Sequence, residues 1–234
     1  LNVTKPPFDN KLLRQALSLT IDRRALANVV LRGAAYPARS FFPNGTPGYD
    51  PSIPIPDRNI ALAKEKLAQA GRPGGFTFTL LLAGSGQQDA SIAQAIQSMA
   101  AEAGIHAQIQ ILEGAAFLEM MQKAQHQATL SIWSGRPDPD FDVYPFVTQT
   151  GIGGLNLADY VSDRATVLLD GARLLGDMAQ RRRAYTEVSR IVADDVPYIF
   201  LFYPKEYKLI SAHVRGFVPE PDGMVRLRTV WLAP

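Results

Sequence analysis

The 234 residues are enough to bury a sizeable core, as one large domain or two small ones, and 47% hydrophobic with 20% charged residues is ordinary globular composition. A net charge of +2 makes no electrostatic case for nucleic acid or an anionic membrane as partner, and the one dense basic run, Arg181-Arg182-Arg183, reads as a solvated helix face. The absence of cysteine excludes disulfides, thiolate chemistry and Cys-based zinc sites together.

The N-terminal stretch Leu1-Asn-Val-Thr-Lys-Pro-Pro-Phe8 has neither a start methionine nor the charged-then-apolar layout of a signal peptide, so the chain is expected to be a piece of something longer. No apolar run approaches the ~20 residues that span a bilayer. Asp9 or Asn10 caps a predicted helix through Leu12, Leu13, Ala16, Leu17 and Leu19, and Asp22 caps a second from Arg23 to about Leu31, ended by Gly33. From Ala35 to Asp57, six prolines and the aromatics Tyr36, Phe41, Phe42 and Tyr49 predict a long ordered loop. Asn59 opens a helix with Ile60, Ala63, Leu67 and Ala70 inward, closed by Gly71.

Phe76 to Leu82 reads as a strand entering a core, Asp89 to Ala103 as a helix, and Ala107 to Leu112 as a half-buried strand. A short helix from Phe117 to Ala124 and a strand from Thr129 to Trp133 follow. This β-α-β-α-β order predicts parallel neighbours in an α/β sheet. A Gly-rich loop from Thr148 to Leu157, helices capped by Ser162 and Asp177, and strands Tyr198 to Tyr203, Tyr207 to Ile210 and Met224 to Trp231 complete the reading, with turn signals at Pro219, Pro221 and Gly223.

Chemistry is expected just past the Thr129–Trp133 strand, where open α/β sheets place their ligands. The proline-stiffened loop there carries Arg136, Asp138, Asp140 and Asp142. An EF-hand beginning at Asp138 fails, because its sixth and twelfth positions hold Val143 and Gln149 instead of Gly and Glu. A phosphotransferase aspartate pair fails too, because Ser134, Gly135, Arg136 and Pro137 separate the acids from the strand end. The carboxylates are left either to cap the following turn and pair with Arg136, or to contact a ligand. Gly84-Ser85-Gly86 lacks the spacing of a nucleophile elbow, and Gly151-Ile-Gly153-Gly154 that of a dinucleotide loop. His106, His126 and His213 stand far apart. The residues give no positive support for an enzyme, a metal or a cofactor.

Several stretches together resemble the extracellular solute-binding proteins of family 5, the dipeptide- and oligopeptide-binding type of the peptide/nickel ABC importers. They are Lys5-Pro-Pro-Phe8-Asp9-Asn10-Lys-Leu-Leu-Arg14-Gln15-Ala16-Leu17 with Ile21-Asp22-Arg23; Ala61-Leu-Ala63-Lys-Glu-Lys-Leu67-Ala-Gln-Ala70-Gly71; Trp133-Ser-Gly135-Arg136-Pro137-Asp138-Pro139-Asp140; and Asn156, Tyr160 and Leu168-Leu169-Asp170 with Ala172-Arg173, Arg183, Tyr185 and Asp195-Val-Pro197. They span nearly the whole chain in matching order.

The resemblance implies an α/β lobe of the type II periplasmic binding fold, a central mixed sheet with a parallel β-α-β core flanked by helices. It implies that residues 1–212 form the second of two ligand-binding lobes, and that the tail 213–234 returns toward the first. The implied protein is periplasmic and not an enzyme. It takes up a peptide or peptide-like solute by lobe closure and delivers it to an ABC permease in the membrane; the alternative is the ligand-sensing domain of a transcriptional regulator. The resemblance implies that, as in the dipeptide-binding members, an acidic residue soon after the W-x-G takes the ligand's α-amino group, whereas this chain has Arg136 there. Either Asp138 or Asp140 assumes that role, or the ligand presents an anion to Arg136. Trp133 is implied as an apolar wall, with Phe41, Phe42 and Asn156 as pocket neighbours; Phe41 and Phe42 are equally readable as lobe core.

Overall fold

A computed structural model describes residues 1–84, 86–220 and 223–233. Ser85 of the Gly84-Ser85-Gly86 stretch, the turn signal Pro221 and the last residue Pro234 lie outside the described residues.

Local signals and structure agree closely at the helix starts that carry a capping side chain. Helix α1 (Lys11–Thr20) is capped by Asn10, whose side chain accepts the Leu12 N–H. Asp22 caps α2 (Arg23–Ala25) through the Ala25 N–H, and the chain continues as a π-helical turn over Leu26–Val30. Gly33 then turns at a φ of 77°. Strand β1 (Ala35–Pro37) opens the proline-rich segment, and Asn59 caps α3 (Ile60–Gln69). Side-chain oxygens at these positions satisfy backbone donors that have no partner inside the helix.

The central sheet is built from β2 (Phe76–Ala83), β3 (Ile105–Leu112) and the two-residue β4 (Ala128–Thr129), in the order β3-β2-β4 and parallel throughout. Helices α4 (Gln87–Ala101) and α5 (Gly114–Gln122) make the crossovers. Phe76, Phe78, Leu80 and Leu82 of β2 pack with Leu13 and Leu17 of α1 and Ala63 and Leu67 of α3. A second cluster joins Ile92 and Ile96 of α4 to Leu26 and Leu31. Burying each such side chain contributes about 2 kcal/mol, so these interleaved faces hold the helices on the sheet.

A third core is helical. It joins α6 (Asp140–Val147), α7 (Asp163–Arg173) and α8 (Met178–Asp195) through Val143, Phe146, Leu169, Tyr185, Val188 and Val192, with Phe42 inserted from the proline-rich loop. Ser162 and Asp177 cap α7 and α8 as expected. Lys11 on α1 pairs with Asp194 and Asp195 at the end of α8, at 2.5 and 2.8 Å, and Arg14 donates to the Asp195 carbonyl at 2.8 Å. These bonds join the helical core to the sheet core.

The strand predictions need three corrections. The strand expected over 129–133 pairs only as far as Thr129, with one further bond from the Leu130 N–H to the Leu81 carbonyl at 3.3 Å. The strand expected over 198–203 is β5 (Phe202–Pro204), antiparallel to β1. The segments 207–210 and 224–230 form no strand; only β6 (Val214–Arg215) and β7 (Trp231–Leu232) pair there. Antiparallel pairing is thus confined to two-stranded ladders apart from the parallel sheet.

Candidate functional site

The loop after β4 leaves the sheet because a better set of partners draws it away. Asp142, in the first turn of α6, reaches back to accept the Trp133 indole N–H at 3.1 Å and the Arg136 backbone N–H at 2.9 Å. A Cβ at position 135 would stand 3.2 Å from the Asp142 carboxylate, so Gly135 allows this close approach. Burial pushes the Asp142 carboxyl up from its ordinary value, and the two N–H groups oppose that shift. Asp142 therefore shapes the loop from beneath.

The other two acids are held by arginines from the helices behind. Asp140 takes a two-pronged contact from Arg173 on α7, with Nε at 3.0–3.1 Å and Nη2 at 2.8 Å. The Arg173 guanidinium also lies 3.1 Å from the centre of the Tyr144 ring. Asp138 is held by Arg181 on α8 at 3.0 and 2.6 Å, and it accepts the Asp140 N–H at 3.0 Å. The Arg181 contact is the main reason that the Asp138 carboxyl is held below its ordinary value. Pairing with Arg136, the partner expected from the sequence, is replaced by pairing with Arg173 and Arg181. The Arg136 side chain is exposed, 6.0 Å from the Trp133 ring centre, and makes no hydrogen bond or ion pair among the described residues.

Trp133 is 40% exposed and begins an aromatic ledge. Its ring meets Phe146 edge-on at 5.1 Å, Phe146 lies 5.7 Å from Phe41, and Phe41 contacts Tyr198 and Phe200 at 5.6 and 4.8 Å. The structure thus brings Trp133 and Phe41 onto one surface through residues that the sequence did not single out. Phe146 was hidden in an apolar run. Tyr198 and Phe200 had a legible signal, since alternate positions in extended chain face the same way.

Two expected pocket residues stand elsewhere. Phe42 is 0% exposed and packs against Tyr185 at 5.8 Å, so it is core. Asn156, 1% exposed, donates to the carbonyls of Thr148 and Tyr160 and accepts the Tyr160 N–H. Those bonds knit the Gly-rich loop together and leave no surface for a ligand, because a buried amide is committed to the partners that satisfy it. Among the described residues no group of three or more His, Asp or Glu side chains is placed to hold a metal ion.

Residues 1–154 match the family model of the bacterial extracellular solute-binding proteins, family 5 middle region. Over 227 residues the chain is 28% identical to heme-binding protein A of Haemophilus influenzae, covering 95% of this chain and 42% of that protein. It is 30% identical over 230 residues to a probable D,D-dipeptide-binding periplasmic protein of Escherichia coli, covering 94% and 43%. The structure of HbpA2 from Haemophilus parasuis superposes with a TM-score of 0.90 at 29% identity, over 100% of this chain and 47% of that one. The chain therefore spans less than half the length of these relatives, and its α/β architecture is that of a type II periplasmic binding protein. It belongs to the bacterial extracellular solute-binding proteins of family 5.

Proposed function

We propose that this chain supplies one lobe of a two-lobe receptor that captures a peptide or peptide-like solute and delivers it to an ABC permease. The observation that carries the reading is the superposition of the entire chain on just under half of the longer HbpA2 chain. Residues 1–212 are the lobe, and the tail 213–234 runs toward the other half. Two features of the chain support this division. The exposed Trp133 and the partly exposed Phe41 both rest on the buried Phe146 ring beside an exposed loop, an arrangement suited to be one wall of a cleft rather than a finished pocket. The tail exposes Val218, Val225, Leu227, Trp231 and Leu232, a density of apolar surface that marks an interface.

Trp133, Phe41 and Arg136 are the residues of this lobe that face the ligand. Phe42, Asn156, Asp138 and Asp140 act from behind, by holding the ledge and the loop in place. Ligand contacts to both lobes stabilise a closed arrangement, and that closed form docks on the permease without any bond being made or broken. The relatives are named as binding proteins, and periplasmic in one case, which supports a non-enzymatic role outside the cytoplasm. Nothing in their names favours the regulator alternative.

The test is a thermal-shift titration of the longer protein that carries this chain, using peptides, opines and organic anions, with the 234-residue chain in parallel. A rise in Tm for the longer protein, with little or none for the chain alone, is the expected result. A flat response of the longer protein to all three classes overturns the proposal.

A further inference from the structure

We infer that this lobe recognises an anionic group of the ligand, a carboxylate or phosphate, through the Arg136 guanidinium beside the Trp133 wall, and that none of its three loop carboxylates receives an amine. The inference rests on the capture reading above and names the class of solute that the same surface takes.

The first part of the argument is the occupancy of the acids. Both Asp140 oxygens are engaged by Arg173, and Asp140 is buried. Asp142 is also buried, and its Oδ1 accepts both the Trp133 and the Arg136 N–H. Asp138 is the most open of the three, yet it already accepts two guanidinium hydrogens and one amide. A carboxylate offers about four lone-pair sites, so at most one is left. An ammonium there would stand beside the Arg181 guanidinium, and like charges at that range repel about as strongly as the carboxylate attracts.

The second part is the state of Arg136. Arg173 and Arg181 are ion-paired to carboxylates, while Arg136 feels the Asp142 charge without an ion pair to it and is exposed with its side-chain donors uncommitted among the described residues. Its backbone is pinned by the bond from its N–H to Asp142, so the side chain starts from a fixed point next to the indole. A planar fork of donors above an aromatic wall fits a carboxylate or phosphate attached to an apolar or planar body, with the body lying on Trp133 and the partly exposed Phe41.

The experiment uses the longer protein and a panel of di- and tripeptides, each as the free acid, the N-acetylated acid and the C-terminal amide, with affinities from isothermal titration. N-acetylated acids are expected to bind about as well as the free acids, and the amides of peptides without acidic side chains about ten- to a hundredfold more weakly. Arg136→Gln is expected to weaken the acids by a similar factor and leave the amides unchanged, with Arg136→Lys intermediate. Amides that bind as well as acids, or an Arg136→Gln variant that binds acids at full affinity, overturn the inference while leaving solute capture standing. If no panel member binds in any form and opines and organic anions give no thermal shift either, the capture reading itself falls, and the inference with it.

Discussion

Asp140 shows how one side chain near the site is committed to structure. Its carboxylate is buried at the start of α6 and receives both prongs of Arg173, which is itself partly exposed. Replacing Asp140 by Asn removes a charge-assisted pair and leaves the guanidinium able to rehydrate, so a cost of about 1–3 kcal/mol is expected. Urea unfolding of Asp140→Asn checks it, and an unchanged midpoint would show that the pair contributes nothing. The caps at Asn10, Asp22, Asn59, Ser162 and Asp177 were legible, because a cap and the N–H that it accepts lie within three residues. The partners of Asp140 and Asp138 were not. They are 33 and 43 residues away on other helices, and nothing in the spacing of charges along a chain ranks Arg173 or Arg181 above Arg136.

At the scale of elements, the parallel β-α-β-α-β order followed from alternating periodicities, and the ends of the elements depended on their neighbours. The turn before β2 and the end of α4 meet at two glycines. Gly75 has a φ of 85°, and a Cβ there would sit 1.9 Å from the Gly104 carbonyl oxygen. Gly75→Ala is expected to destabilise by at least about 2 kcal/mol, through left-handed strain and a backbone that must shift. A thermal melt of that variant tests this, and a Tm within a degree of the parent would mean that the turn yields freely. The 129–133 stretch teaches the opposite lesson. Its apolar run reads as buried strand, but Ile132 and Trp133 are exposed, because Asp142 offers the loop two hydrogen bonds away from the sheet edge. Hydrophobicity marked the segment as important without saying which way it would face.

Over the whole molecule, burial ends well before the chain does. Among the described residues none beyond Pro197 is buried, and Lys205 bonds back to the body, to the carbonyls of Ala34 and Gly33 at 2.9 and 2.8 Å. Farther on, the bonds of Lys208, Thr229 and Ala233 stay within the segment. Ending the chain at Lys205 is therefore expected to change its Tm by less than about 2 °C, since a segment without buried side chains contributes little to the cooperative core. Loss of a cooperative transition on truncation would contradict this and make the tail part of the fold. The same exposure is what the two-lobe proposal requires of a segment that packs on the other half.

The sequence by itself determined what short-range physics controls: helix starts from capping side chains, strand and helix type from apolar period, the exclusion of cysteine chemistry from composition, and a family resemblance from ordered motifs. Tertiary structure alone decided which way the loop after β4 leaves the sheet, which arginine neutralises which aspartate, that Phe42 and Asn156 face inward, and that Trp133 and Phe41 share one surface. Each of these is a competition between partners far apart in sequence, and it is settled by which of them the folded cores bring within reach.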